Sequence, residues 1–235
     1  MTAHHSIFPL TVSEGHISIT AEAKDEMFDV FMTQIDASGN TMDFLGYNRL
    51  HLEPALHDLY TAILSIVHEH FRALNVNPDD LQFSVVKSWL NIKTTDRKNS
   101  IHDHGEAHYS FTYYPHIAHG QEMSIRFFPM HMRHQNEPVR GFLNEYVSDC
   151  NYANATSWSF LPKEGSVFVF PAHILHDTHN NNKEDTPEAL DPVTSKADLY
   201  NTRVCVGGDI IITSRRHSNN IRVLQPLNQW KTFPD

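Results

Sequence analysis

The segment NSIHDHGEAHYSFTYYP, residues 99–115, gathers three histidines and two carboxylates just before a strand-like aromatic run. Imidazole and carboxylate groups are costly to bury unless something pairs with them, so such a segment is either solvated surface or a site. His102 and His104 are separated by one residue. On an extended strand they point to the same face, about 7 Å apart. Two imidazoles in this arrangement can converge on one metal ion.

A third ligand has to come from elsewhere in the chain. The best-placed candidates are His173 and His176, which follow the buried-looking strand in GSVFVFPAHILHDT. An HxH or HxD pair, a strand-rich interval and a distant histidine form the layout of a mononuclear iron site in a double-stranded β-helix. Non-heme iron oxygenases leave metal positions open for a cosubstrate and O2. Because the chain has 18 histidines, a solvated loop stays the alternative to a metal site.

Composition argues against several classes of function. The 235-residue chain has a net charge of −10 with neutral histidines, so we expect no nucleic-acid partner. No apolar run approaches the roughly 20 residues of a membrane span. The opening MTAHHSIFPL lacks a secretory signal pattern, and two cysteines, Cys150 and Cys205, cannot form a disulfide framework. We therefore expect a cytoplasmic protein without a membrane partner, whose oligomeric state the sequence leaves open.

The hydrophobic pattern changes once along the chain. Residues 1–80 read as helical, with apolar side chains at helical spacing in AEAKDEMFDVFMTQI and PALHDLYTAILSIVHEHFRAL. Residues 81–235 contain short β-branched or aromatic runs that are typical of an antiparallel sandwich. These runs are LQFSVVKSWLNIKT, HYSFTYYP, EMSIRFFP, TSWSFLP, GSVFVFPA and TRVCVGGDIIIT. We predict one mainly β domain over residues 1–235, a double-stranded β-helix (jelly-roll, cupin-like) core with N-terminal helices packed on one sheet.

Two stretches between the predicted strands, residues 130–155 and 177–202, have loop-like sequences. The second is polar and acidic, so we expect it to lie outside the core. Loops of this length are usually functional or mobile. A lid over the substrate is our hypothesis for the second one.

The order of the motifs resembles a known enzyme family. Residues 88–91, SWLN, followed by IHDHGEAHYSFTYYP, are similar to the core motif of 2-oxoglutarate/Fe(II)-dependent oxygenases, whose relatives include prolyl-hydroxylase-like enzymes. Further similar segments are SIFPLTV, MSIRFFP, FLPKEGSVFVFPAHILHDT and TRVCVGGDII. The resemblance covers nearly the whole chain in the right order. It implies Fe(II), 2-oxoglutarate and O2 as cofactors.

Carried over residue by residue, the resemblance also implies a set of site residues. The metal ligands would be His102, His104 and His176. The far carboxylate of 2-oxoglutarate would pair with Arg203, a planar bidentate contact that suits a guanidinium. Tyr114 would donate its hydroxyl to the same carboxylate, and Asn91 would contact the cosubstrate more weakly. His173 stands where the family has a bulky residue, so we expect a structural role for it.

The sequence departs from the family pattern at several positions. The commonest oxygenases of this kind have a carboxylate as second ligand where this chain has His104, which would leave the iron charge less compensated. A shifted ligand set of His104, Glu106 and His176 would restore a carboxylate but would break the gapless match. Cys205 and Asp209 stand where the family has a serine and an asparagine, which leaves the details of the carboxylate pocket open.

The function that the resemblance implies is that of an oxidoreductase, a dioxygenase that hydroxylates an unactivated C–H bond with release of succinate and CO2. It needs no catalytic residue beyond the metal ligands. Two alternatives stay open: a three-histidine cupin-like iron dioxygenase that does not use 2-oxoglutarate, and a non-catalytic metal-binding jelly-roll module. No motif identifies the substrate, which we expect to be a small molecule or a peptide.

Overall fold

A computed structural model describes residues 10–37, 48–93, 100–128, 155, 157–179 and 193–233. The helices in these ranges are α1 (Ala21–Ala37), α2 (His57–Ala73) and α3 (Lys196–Tyr200). The strands are β1 (Ser13–His16), β2 (Leu81–Lys93), β3 (Tyr109–Ile117), β4 (Ser124–Phe127), β5 (Trp158–Phe160), β6 (Ser166–Pro171), β7 (His176–His179) and β8 (Arg203–Ser214). Short 3₁₀ turns lie at Leu50–Leu52, Pro54–Leu56, Pro78–Asp80 and Leu227–Gln229.

The strands form two antiparallel sheets. One has five strands in the order β1-β6-β3-β8-β2, and the other has three in the order β5-β4-β7. Side chains from both sheets share one apolar cluster, which includes Ile125 and Phe127 of β4 with Phe168 and Phe170 of β6. Two antiparallel sheets around a common core are the architecture predicted for the second part of the chain.

The first two helices cover the outer face of the five-stranded sheet. Phe28 and Phe31 of α1 and Ile63 and Val67 of α2 are buried in one cluster with Val206 of β8. Their spacing of three or four residues places them on one side of each helix, as the sequence predicts. Helices packed on one sheet are thereby confirmed. No described helix combines the length and the hydrophobicity that a membrane span needs.

Strand β8 lies between β3 and β2 and presents two different faces. Val204, Val206 and Ile210 belong to the cluster under the helices. Cys205 belongs to the cluster between the two sheets. Because successive side chains alternate across a strand, Arg203 shares the inner face with Cys205. The inner face of β8 is therefore the one that can carry a site.

Three short elements escape sequence prediction. Strands β1 (SEGH) and β7 (HDTH) are mostly polar and have no β-branched or aromatic run, so only their pairing with β6 and β4 defines them. Helix α3 lies in the predicted polar loop 177–202. That loop was expected outside the core, which is wrong at its end, because Val193 and Leu199 are buried among the core residues. Residues 180–192 lie outside the described residues, so the lid stays a hypothesis.

The packing of α2 on the sheet predicts a large loss of stability for Ile63→Ala. The Ile63 side chain is 0% exposed, so its truncation leaves a cavity and should lower the free energy of unfolding by about 2–5 kcal/mol. The matched control is Ser65→Ala at an exposed position of the same helix, which should stay within about 0.5 kcal/mol of the parent protein. Chemical denaturation measures both. Equal effects would contradict the helix–sheet packing.

Candidate metal centre

Three histidine side chains meet where β7 begins. His176 forms an isolated antiparallel bridge with His102, in which each backbone N–H donates to the other residue's carbonyl, at 3.1 and 2.9 Å. The N–H of His104 donates to the carbonyl of Ala172 at 2.8 Å. One nitrogen from each of the three rings lies within 4.8 Å of the others. The backbone pairing thus places all three imidazoles around a volume that one metal ion can fill.

The extended segment that carries His102 and His104 is shorter than a strand. It is held by the bridge to His176 and by the hydrogen bond from His104 to Ala172, and β3 begins only at Tyr109. The two rings nevertheless converge, with centroids 5.3 Å apart.

In each of the three rings, Nδ1 lies at hydrogen-bonding distance from an oxygen. The pairs are His102 with the carbonyl of Ser100 at 2.7 Å, His176 with the carbonyl of Ile174 at 2.9 Å, and His104 with the carboxylate of Asp209 at 2.8 Å. A neutral imidazole that donates from Nδ1 keeps its lone pair on Nε2. These contacts orient the rings, and a metal ion held by all three would be bound through Nε2.

Ring packing fixes the planes of the imidazoles. His104 lies between Trp89 and His176, nearly parallel to both, with centroid distances of 5.2 and 5.1 Å. Trp89 can approach because Gly207 has no side chain: a Cβ there would lie 2.7 Å from the indole ring. Burial lowers the pKa of His176 to about 3, and the neighbouring His102 and His104 add to the shift. His176 is therefore neutral at physiological pH, the form that binds metals.

Asp209 is a buried carboxylate beside the three rings. It is 3% exposed and accepts a hydrogen bond from the Ser110 hydroxyl at 2.8 Å, while the Lys87 ammonium lies 3.3 Å away. Burial acts to raise the pKa of Asp209, but His104, Ser110 and Lys87 together outweigh it and lower that pKa below its ordinary value. Asp209 is therefore a carboxylate anion that accepts from the His104 ring.

Arg203 is a buried cation on the same face of β8. Its side chain is 0% exposed, and none of its three guanidinium nitrogens has a hydrogen-bond partner among the described residues. The guanidinium lies over the ring of Tyr114, 4.6 Å from the centroid. The hydroxyls of Tyr114 and Thr112 are also buried without a hydrogen-bond partner in the described part of the chain. Buried polar groups are nearly always paired, so this cluster of donors fits an anion.

The remaining sequence candidates divide into two groups. Asn91 is buried and lies opposite Cys205 in the β2–β8 pairing, so it faces the same side as Arg203. Glu106 and His173 are exposed. Within the described residues, the group that could hold a metal comprises His102, His104 and His176, without Glu106. The structure thus brings together the gapless ligand set and not the shifted one.

This arrangement fits the groups that a 2-oxoglutarate/Fe(II) site requires. Three imidazoles whose ligand atoms lie within 4.8 Å of one another suit a divalent transition metal. The unpaired buried guanidinium suits the distal carboxylate of a dicarboxylic acid. The fold and the site together define a protein of two antiparallel sheets with three histidines that could hold one metal ion.

Part of the chain matches a known protein family. Residues 87–187 match a family model described as "Putative 2OG-Fe(II) oxygenase". The match spans the three histidines, Asn91 and Tyr114, and it confirms the resemblance found in the sequence. Such a family implies Fe(II), 2-oxoglutarate and O2 as cofactors. Among curated proteins, none matches this sequence.

Solved structures share the fold at low sequence identity. The carbocyclase SnoK from nogalamycin biosynthesis, described as non-heme and alpha-ketoglutarate-dependent, is 11% identical with a TM-score of 0.54, over 93% of this chain and 89% of SnoK. The epimerase SnoN from the same biosynthesis, with the same description, is 9% identical with a TM-score of 0.52, over 93% and 91%. EctD from S. alaskensis, solved with 2-oxoglutarate and 5-hydroxyectoine, is 12% identical with a TM-score of 0.51, over 93% and 78%. These likenesses confirm the double-stranded β-helix.

Sequence reasoning missed the surroundings of the ligands. It noted Asp209 only as a departure from the family pattern, and it assigned no role to Lys87, Ser110 or Trp89. A usable signal was present for Asp209, because a single carboxylate stands inside the apolar run VCVGGDIII. A charged residue in a buried strand requires a partner. Which partner it has is a matter of cross-strand pairing.

The lowered pKa of His176 predicts a pH dependence of stability for the metal-free protein. Its pKa is about 3 in the folded protein against an ordinary value of 6.5, so the unfolded chain binds the extra proton in this interval. The free energy of unfolding should therefore fall as the pH drops from about 6.5 toward about 3, by at most about 1.4 kcal/mol per pH unit from this group. His176→Gln lacks the group and should show a smaller slope in denaturation series. Identical slopes would contradict a neutral, buried His176.

Proposed function

We propose that this protein is an Fe(II)- and 2-oxoglutarate-dependent oxygenase that hydroxylates an unactivated C–H bond of a small molecule or a peptide. The observation that carries the proposal is Arg203, a fully buried guanidinium without a hydrogen-bond partner among the described residues. Arg203 lies on the inner face of β8. The same face of this strand carries Asp209, which accepts from the ring of His104 in the candidate metal site. A chelating dicarboxylate needs a buried cation of this kind for its far carboxylate.

In this proposal, His102, His104 and His176 hold the metal through Nε2. When bound, Fe(II) and 2-oxoglutarate supply the oxidising power, since O2 is consumed as the cosubstrate is decarboxylated to succinate and CO2 and the substrate is hydroxylated. The contribution of the protein is orientation. The Nδ1 contacts to Ser100, Asp209 and Ile174 hold each ring before the metal arrives, so little reorganisation accompanies binding.

The cosubstrate would be anchored at its distal carboxylate. Arg203 provides a fork of N–H donors, and Tyr114 adds a hydroxyl donor. The guanidinium lies over the ring of Tyr114. Asn91, on the neighbouring strand β2 and facing the same side, would add a weaker contact. These residues would place the keto-acid end of 2-oxoglutarate toward the metal.

Apolar rings would keep water away from this region. Phe127 and Phe170 lie against His176, with ring centroids at 6.0 and 4.9 Å. Tyr114 packs edge-on to Phe168 at 6.1 Å. Exclusion of water strengthens every charged contact inside the site and limits side reactions of the oxidant.

Arg203 also separates this proposal from its two rivals. A cupin-like dioxygenase whose substrate chelates the metal by itself, or a module that only stores metal, has no need for a buried cation nearby. We propose hydroxylation because it requires no group of the protein beyond those that hold metal and cosubstrate. Succinate release that depends on added 2-oxoglutarate would separate the proposed activity from both rivals.

Anaerobic titration of the metal-free protein with Fe(II) and 2-oxoglutarate tests the metal site. We expect a metal-to-ligand charge-transfer absorption band in the wild-type protein, because the keto acid chelates the bound iron. His176→Ala removes one of the three ligands and should abolish the band. His173→Ala, at the neighbouring exposed histidine, is the matched control and should retain it. Retention of the band in His176→Ala would remove His176 from the ligand set.

Arg203→Met should weaken the binding of 2-oxoglutarate without lowering the stability of the ligand-free protein. Loss of a buried charge-assisted pair costs about 2 kcal/mol or more, so the Kd for 2-oxoglutarate should rise at least about thirty-fold in calorimetry. The free energy of unfolding of the ligand-free protein should stay equal or increase, because the variant removes a buried charge that has no hydrogen-bond partner among the described residues.

The control for this variant is Arg222→Gln, at an exposed position, which should change neither quantity. Unchanged 2-oxoglutarate affinity in Arg203→Met would overturn the assignment of Arg203. A large loss of stability in the ligand-free protein would indicate a structural role for Arg203 instead.

A further inference from the structure

A site built from three neutral imidazoles leaves the charge of a divalent ion uncompensated by its ligands. In the described part of the chain, the carboxylate in contact with a ligand of this site is Asp209, which accepts from Nδ1 of His104 at 2.8 Å. Its Oδ1 atom also accepts from the Ser110 hydroxyl at 2.8 Å. Asp209 is not itself one of the proposed metal ligands, but it is hydrogen-bonded to one of them, His104.

We propose that Asp209 is a positioning residue that supplies, through His104, the negative charge that the three-histidine ligand set lacks. The inference rests on the proposed function only in that the three histidines bind a divalent metal. A carboxylate that accepts from a ligating imidazole fixes the tautomer and makes the ring a stronger donor to the metal. The residue would thereby tune the affinity and the electron density of the metal.

The sheet holds Asp209 in place from both sides. In the strand register, Asp209 of β8 lies opposite Lys87 of β2 and opposite Ser110 of β3. All three side chains therefore share the inner face. Because Asp209 is 3% exposed, its charge is poorly screened by water and acts on His104 at full strength.

A purely structural alternative is that Asp209 serves as the partner of Lys87. The Lys87 side chain is 49% exposed, and its ammonium stands 3.3 Å from the carboxylate and 5.7 Å from the centre of the Trp89 ring. An exposed lysine contributes little to such a pair, since surface ion pairs are worth little. The shorter contact, to the His104 ring, therefore defines the role of Asp209.

The test is a titration of the metal-free protein with Co(II) in the presence of a competing chelator, followed by the d–d absorption of the bound ion. Asp209→Asn keeps the shape and the acceptor oxygen but removes the charge, and it should weaken Co(II) binding about ten- to hundred-fold. Lys87→Met removes the opposing cation and should bind Co(II) as tightly as the wild type or tighter. The Co(II) affinity should therefore be lower than that of the wild type in Asp209→Asn and equal or higher in Lys87→Met.

A second measurement separates charge from loss of structure. In the Co(II)-loaded protein, Asp209→Asn leaves the metal more electropositive, so the affinity for the anionic 2-oxoglutarate should be equal or higher. A variant with a distorted site would lose affinity for both the metal and 2-oxoglutarate, and that result would overturn the proposal. Should Asp209→Asn fail to fold, Lys87→Met decides by itself, because weaker Co(II) binding in that variant would contradict the proposed sign.

The outcomes also distinguish this inference from the proposed function. If the wild-type protein binds no Co(II), the metal site and this inference are both wrong. If the wild type binds Co(II) and Asp209→Asn binds it equally well, Asp209 has no such role and the metal site stands.

Discussion

Alternation along strand β8 is the constraint on which both the core and the site depend. Val204, Val206 and Ile210 face the helices, whereas Arg203 and Asp209 face the space between the sheets. A slip of one residue in the pairing with β2 or β3 would exchange the two faces. A guanidinium and a carboxylate would then enter the apolar layer under the helices. Burial of the valines and isoleucine therefore fixes the register that positions the charged residues.

The inner face of this strand carries two opposite charges. Arg203 stands at the start of β8, and Asp209 lies six residues further on, near the middle of the strand. The three imidazoles gather beside Asp209, where His102 and His176 form their bridge. In the proposed function Arg203 holds the far carboxylate of the cosubstrate, whose chelating end lies at the metal.

Much of the architecture follows from local patterns. Helical spacing predicted α1 and α2, and apolar runs bounded by turn residues predicted β2, β3, β4, β5, β6 and β8. The strands β1 and β7 and the helix α3 were missed because their sequences have no apolar period of their own. They exist because neighbouring elements offer hydrogen-bond partners and apolar surface. The burial of Val193 and Leu199 within an acidic loop has the same origin.

The sequence by itself determined the residue types and the order of the motifs: an HxH pair, a distant histidine, an arginine in a late strand, and the resemblance that connects them. Only the tertiary structure decided that His102, His104 and His176 form one cluster without Glu106, and that each ring is held at Nδ1. It also decided that Arg203 is buried without a hydrogen-bond partner among the described residues and that Asp209 faces His104. The physical reason is the separation along the chain over which each kind of information acts. Periodicity records which face of an element is buried, whereas contacts between residues far apart in the chain depend on strand register and bridging hydrogen bonds.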